Sequence, residues 1–395
     1  MVNIISIAGK LAEPEHPPVE LNSDRCVHER DRLAQCDLCV RACPVDALHV
    51  DAHITLDEKM CVACGLCVHT CPVGAFKGDD GFIDLLNLVG RLPENSIIEL
   101  ACPRHPAPQN GENENASVIR TKMCLAALGT SRYLQLLVRV PQLIVRTDAC
   151  AECVLGRARP AITQAVDSAR SVLAARGEAE QLIEVNEKPT TAKTRAVYDA
   201  KNPPVSRRDL LRVFVTEGSK VAARALDSAD ESAAGKTPPL ERRRLINVLR
   251  QFVPIEMPEW QPVPASNLGL VRLAADNKCT ACGICARACP TGAMQFVEGE
   301  NNSYRLTITP AQCTNCGICL DLCDPKSLQR NGVPTFGELL GAEPQVLRTG
   351  TLKECYRCKQ KFADHIEGNL CSVCAYRKAN PFGSRMLPVV KPRAK

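Results

Sequence analysis

Residues 81–185 alternate between two hydrophobic patterns. IDLLNLVGRL, CLAALGTSRYLQLLVRV and RARPAITQAVDSARSVLAARG read as helices, whereas IIELAC, SVIRTKM and QLIVRTDAC are short apolar runs of strand length. Helices alternating with strands predict a small α/β domain. Outside this stretch the apolar runs shorten. LHVDAHITLD and MQFVEGENNSYRLTITP alternate residue by residue and predict small hairpins.

Each hairpin lies between two copies of one short phrase: CPVDAL at 43–48 and CPVGAF at 71–76, then CPTGAM at 289–294 and CDPKSL at 323–328. Residues 22–80 and 263–335 are therefore expected to be two copies of one compact α+β unit with near two-fold internal symmetry. Residues 186–262 hold 14 Lys/Arg against ten Asp/Glu and two Pro pairs, and are expected to be a linker with surface helices. Within it SRRDLL, residues 206–211, has the form of a twin-arginine signal but no apolar region behind it, and reads as a basic helix start. Residues 348–395 form a basic tail with two CxxC pairs.

Composition changes the picture through cysteine. Of 395 residues 24 are Cys, and without them the apolar share falls from 45% to about 39%. Something besides apolar burial has to hold this chain together. Thiols at this density mean disulfides in a secreted protein or metal ligands in a reducing compartment. The start, MVNIISIAGKLAEPEHPP, has no basic segment before a long apolar run, and no stretch reaches the length of a membrane span. A cytoplasmic protein with reduced, metal-binding thiols is the expectation. Counting the thiols as bound thiolates in six sites turns the formal charge of +5 into about −7. With aromatics at 4% and one Trp, stacking platforms for nucleic acid are scarce.

Cys61, Cys64, Cys67 and Cys71 with Pro72 form a CxxCxxCxxxCP run, and Cys279, Cys282, Cys285 and Cys289 with Pro290 form another. Three closely spaced thiolates wrap one cubane, and the fourth, placed at the start of a short helix, serves the neighbouring cluster. The first motif has Cys36, Cys39 and Cys43 but no thiol three residues before Cys36; Cys26 stands ten before it, so seven residues are extra. The expected sets are Cys26, Cys36, Cys39 with Cys71; Cys61, Cys64, Cys67 with Cys43; Cys279, Cys282, Cys285 with Cys323; and Cys313, Cys316, Cys319 with Cys289. Gly65, Gly283 and Gly317 follow the second ligand, where the loop needs a left-handed residue; Asp37 takes that place in the first motif and tolerates the same conformation. Asp324 stands where the fourth motif would have Pro. Over about 125 residues the chain resembles the 2x(4Fe-4S) bacterial-type ferredoxin family, which implies four 4Fe-4S clusters and one-electron transfer.

Cys102, Cys124, Cys150 and Cys153 lie at strand ends or helix starts of the α/β domain and can converge above its sheet. With CP, MCLAAL and CAEC at those junctions, the domain resembles the iron-sulfur delta subunit of methyl-viologen-reducing hydrogenase, which feeds heterodisulfide reductase. That resemblance implies a 2Fe-2S cluster on these four cysteines, although Cys102 stands alone where the family has a CxxC pair. A zinc site and unrelated buried thiols are the alternatives. Cys355, Cys358, Cys371 and Cys374 have zinc-ribbon spacing, and His365 between them reads as a surface residue. Eleven Lys/Arg against three Asp/Glu in residues 348–395 raise nucleic-acid binding for the tail, but the few aromatics and the negative corrected charge favour protein docking or a structural cap.

There is neither a GxGxxG fingerprint nor a P-loop, so no catalytic residue is named. The expectation is an electron-transfer subunit of a multi-subunit anaerobic oxidoreductase, working beside a hydrogenase, a flavin reductase or a heterodisulfide-reductase-like module. The alternative is an iron-sulfur redox sensor that binds nucleic acid through the ribbon.

Overall fold

A computed structural model describes residues 19–31, 34–189, 193–201, 236–252, 268–341 and 343–381. SRRDLL and the end of the basic tail lie outside these. The chain forms two compact units: one takes the residues up to Cys26 and those from Asp37 through the α/β domain, the other takes Val27–Cys36 and the chain from Gly269 onward.

In the first unit β1 (Glu20–Leu21) pairs antiparallel with β4 (Phe76–Lys77), and β2 (Leu48–Val50) with β3 (Ile54–Leu56), the expected hairpin. Two one-turn helices, α1 (Leu38–Ala42) and α2 (Leu66–Thr70), pack against each other between them. The α/β domain follows with β5 (Ile97–Ala101), β7 (Ala116–Arg120), β8 (Leu143–Arg146) and β9 (Leu182–Val185), and the helices α3 (Phe82–Val89), α4 (Thr130–Leu137) and α5 (Arg159–Ala174). Its strands pair parallel. β8 is buried along its whole length and β5 from Ile98 onward, as continuous apolar runs require when helices cover a parallel sheet.

The segment expected to link the domains contributes to this one. β10 (Lys193–Thr194) pairs with β6 (Asn110–Gly111), and β11 (Val197–Asp199) becomes the edge strand, giving the order β11-β7-β5-β8-β9. Helix α6 (Leu240–Phe252) buries Leu245, Ile246, Val248, Leu249 and Phe252 and packs on α4, so its apolar stripe belongs to the core and not to a surface helix. Its many arginines hid that stripe in the composition.

In the second unit β12 (Leu273–Ala275) pairs with β15 (Leu328–Arg330), and α7 (Ile284–Ala288) packs on α8 (Ile318–Asp321). The expected hairpin is β13 (Met294–Glu298) with β14 (Ser303–Ile308). It grows into a four-stranded sheet, β13-β14-β16-β17, because β16 (Gln345–Glu354) pairs with β14 and β17 (Lys361–Ala363) with β16. Helix α9 (Phe336–Leu340) starts on a capping box of Thr335 and Glu338, and α10 (Ser372–Ala379) begins inside the last CxxC pair, with Cys371 as its N-cap and Cys374 in its first turn. The basic tail thus begins as part of the second unit's sheet.

Candidate metal centres

The four short motifs share one backbone. The residue three places after the fourth cysteine is left-handed each time: Asp46 (φ 54°), Gly74 (65°), Gly292 (72°) and Lys326 (52°). Gly65, Gly283 and Gly317 are left-handed as expected, at φ 77°, 67° and 84°. Ala63, Ala281 and Asn315, just before the second cysteine, are left-handed too. Such pairs of turns aim successive backbone amides into one concavity, which suits an anionic thiolate cluster. Alternation and spacing gave no hint of the alanines, because Ala does not favour that region.

Two expectations are corrected. Asp37 has φ −126° and ψ 15°, so it is not left-handed; it precedes α1, and its carboxylate pairs with Arg41 one turn on, at 3.0 Å. Cys43, Cys71 and Cys289 do not begin helices but close α1, α2 and α7 as C-caps, and Cys323 lies just past the end of α8. The turns after α1 and α2 then present an amide to sulfur: Ala47 N–H donates to Cys43 Sγ at 3.2 Å and Ala75 N–H to Cys71 Sγ at 3.3 Å.

All 24 cysteines are free thiols, and their mutual electrostatics map who neighbours whom. Cys67 is pushed up by burial first, then by the charges of Cys64, Cys61, Cys43 and Cys39. Cys64 is raised by burial and by Cys43 and Cys61. Burial raises Cys71, whose one thiol neighbour among the leading causes is Cys26. Cys36 falls in the second unit, with its carbonyl bonded by His28 Nε2 at 2.5 Å. In that unit burial takes Cys285 up to about 12, helped by Cys282, Cys279 and Cys323, while Cys319 is raised by burial and by Cys313, Cys316, Cys285 and Cys289. Crowded thiols that resist ionisation in isolation are what a cationic iron-sulfur core would relieve, and they fit one.

Cys102, Cys124 and Cys150 follow the carboxyl ends of β5, β7 and β8, the edge at which open α/β sheets take their ligands. Together with Cys153 they line one cavity. Burial lifts Cys124 to about 12 and Cys150 to about 11, each with repulsion from Cys102. Leu155 N–H donates to Cys153 Sγ at 3.4 Å. The same cavity is walled by Val62, Ala63 and Cys64, and Cys124 feels the charge of Cys64. Two contacts hold that wall: His69 Nε2 donates to the Ala126 carbonyl at 2.6 Å, and a Cβ on Gly65 would lie only 2.8 Å from Ala127 Cβ. Arg157 pairs with Asp46 at 2.6 Å on the exposed rim.

Beside the cavity lies a buried charge network. Glu99 on β5 receives Arg146 at 2.8 Å and both terminal nitrogens of Arg195 at 2.7 Å. Arg146 also holds both oxygens of Asp148 at 2.7 Å, and His105 Nε2 donates to Asp148 at 3.2 Å while its Nδ1 accepts from Ala107 N–H. Two carboxylates balance two guanidiniums. Its floor borders a second cavity of about 530 Å³ that reaches Cys153. The signal was present in the sequence, as Glu99 and Arg146 interrupt otherwise apolar strands.

Cys355, Cys358, Cys371 and Cys374 have all their sulfurs within 4.8 Å of one another, the one such group among the described residues. The N–H groups of Cys371, Cys358 and Arg357 outweigh burial and lower Cys355 to about 6. His365 is exposed and donates from Nε2 to the Asn277 carbonyl at 2.8 Å.

Residues 34–75 and 278–326 match the family model of the 4Fe-4S dicluster domain. The chain therefore carries two iron-sulfur dicluster domains, modules whose role is electron transfer. Cys26, the four cysteines of the α/β domain and the ribbon lie outside the matched segments. No curated protein matches the chain. Among the described residues no helix is long and apolar enough to cross a membrane.

Proposed function

We propose that the chain is an electron-transfer subunit of a multi-subunit anaerobic oxidoreductase in the cytoplasm, working with other redox subunits such as a hydrogenase, a flavin reductase or a heterodisulfide-reductase-like module. The observation that carries this reading is that Cys64 of a dicluster motif and the four cysteines of the α/β domain wall one cavity. Adjacent centres of this kind serve conduction; a lone structural metal has no use for such a neighbour.

The ligand sets follow the thiol neighbourhoods. Cys43 is grouped with Cys61, Cys64 and Cys67, and Cys71 with Cys26, as crossed ligation requires. Cys323 goes with Cys279, Cys282 and Cys285, and Cys289 with Cys313, Cys316 and Cys319. Cys36 and Cys39 are assigned to the first set from their spacing alone. Bound clusters supply one-electron redox chemistry at these positions. The chain's own residues orient the thiolates, donate N–H groups to sulfur and keep water away.

The cysteines of the α/β domain are taken to hold a 2Fe-2S cluster, as the delta-subunit resemblance implies. No three of their sulfurs fall within the 4.8 Å that the ribbon meets, which supports a polynuclear centre over a single zinc. Zinc suits the ribbon, since thiolates bound at about 2.3 Å to one ion lie under about 4 Å apart.

Metal analysis of anaerobically purified protein tests these assignments: about 18 Fe and one Zn per chain are expected. Two Zn with about 16 Fe would make the α/β site structural and end its role in conduction. In Cys71→Ser the centre of Cys26 and Cys39 should be disturbed while that of Cys61, Cys64 and Cys67 keeps its spectrum. The reverse would refute crossed ligation.

A further inference from the structure

The two cysteine loops of the second dicluster domain have the same shape but different supports. Asn315 in the loop of Cys313 and Cys316 receives Arg330 Nε at 3.2 Å. The loop of Cys279 and Cys282 is held by the ribbon instead. Ala363 N–H, at the end of β17, donates to the Thr280 carbonyl at 3.0 Å, and His365 Nε2 donates to the Asn277 carbonyl at 2.8 Å. Ala281 is buried in a cluster with Tyr304, Leu352 and Ala363, against which Phe296 and Ile366 pack. Phe296 also stacks on Tyr304 with ring centroids 5.5 Å apart, and it meets the loop at Gly283, where an added Cβ would lie 3.5 Å from its ring. Lys361 on β17 pairs with Glu298 at the end of β13, at 2.8 Å.

Both sides of this contact are metal sites by the reading above. The ribbon residues that touch the loop, Ala363 and His365, lie between the two CxxC pairs, at the end of β17 and just after it. Thr280 and Ala281 are the two residues that separate Cys279 from Cys282, and Ala281 sits in the left-handed region at φ 55°. Alanine does not favour that conformation, and here the residue is buried directly against Ala363 and Leu352.

We propose that the ribbon is a metal-dependent brace: a divalent zinc ion on Cys355, Cys358, Cys371 and Cys374 holds Ala363 and His365 in place, and through them fixes the loop that presents Cys279 and Cys282. The proposal rests on the zinc reading of the ribbon and on Cys279 and Cys282 being cluster ligands. It assigns the tail a positioning role toward one centre of four. Ala363 and His365 are the positioning residues, and the sister loop at Cys313 is independent of them.

Hydrogen exchange of the full-length protein, purified anaerobically, tests this. It is compared with the same protein after zinc removal and with Cys358→Ser, which deletes an exposed ligand. Iron and zinc are measured on every sample. Amides of residues 277–284 should exchange about tenfold faster or more once zinc is lost, while those of 313–318 stay unchanged. His365→Ala should keep its zinc and show a smaller acceleration confined to the Asn277 end. Zinc loss with unchanged exchange at 277–284 overturns the brace and leaves the zinc reading standing. A ribbon that holds no zinc in the wild type overturns both, and equal acceleration in the two loops would show general loosening and overturn the brace.

Discussion

Gly65 carries two constraints at once. Its φ of 77° favours glycine, and its missing side chain lets the cysteine loop approach Ala127 to a distance that a Cβ would violate. Gly65→Ala should cost about 1–3 kcal/mol in denaturant unfolding. Adding Ala127→Gly should recover the part due to the clash and leave the part due to φ. A neutral Gly65→Ala would show that the loop does not sit tightly on residues 124–127. At this scale the glycines were legible in the sequence because they recur at one offset from a cysteine. Ala63 and Ala281 were not, because their conformation is imposed by the loop and opposes their preference. Asp37 differs for a related reason: with no cysteine three residues before Cys36, there is no tight loop to close, and nothing forces this helix-preceding residue into the left-handed region that Gly65, Gly283 and Gly317 occupy.

Strands β5, β7 and β8 could be read from short, mostly apolar runs, and their order places three cysteines on one edge. The partner that completes the charge on Glu99 could not. Arg195 comes from 96 residues further along, in a stretch whose composition resembles a linker. The network makes the elements sensitive to acid in a definite direction. Burial would raise the Asp148 carboxyl, but the bonds from Arg146 and His105 outweigh it and hold the group well below the usual carboxylate range. A depressed folded value means the stabilisation is complete above the unfolded value of about 4 and is lost as pH falls through the folded one. Asp148→Asn should therefore cost about 3–5 kcal/mol at pH 7, since it strips a charge from buried Arg146. The gap between variant and wild type should narrow below about pH 4, as circular dichroism in urea would report. A gap that stays constant into acid would contradict the network.

For the molecule as a whole, the repeats announced two dicluster domains, and the 24 cysteines divided without remainder into six groups of four. Hidden from the sequence were the pairings between distant segments: β11 at the edge of the parallel sheet, α6 in its core and β16 against β14. Pairing of that sort leaves no local period to read. On the proposed ligand sets, the cavity shared by Cys64 and Cys124 puts the group of Cys43, Cys61, Cys64 and Cys67 next to the α/β site. In fully reduced protein, electron paramagnetic resonance should show these two centres broadened by magnetic interaction, and the broadening should vanish when one of them is kept oxidised. Signals from two isolated centres would refute the order. Strand β16 has a consequence for the making of the protein. While the ribosome still holds residues 345–354, β14 is paired on one side only, by β13, and its other edge offers unpaired N–H and C=O groups to any passing strand. A chain halted between Cys323 and Gln345 would leave the tunnel with that edge bare, so a truncated product would be prone to aggregate even with its ferredoxin cysteines all in place.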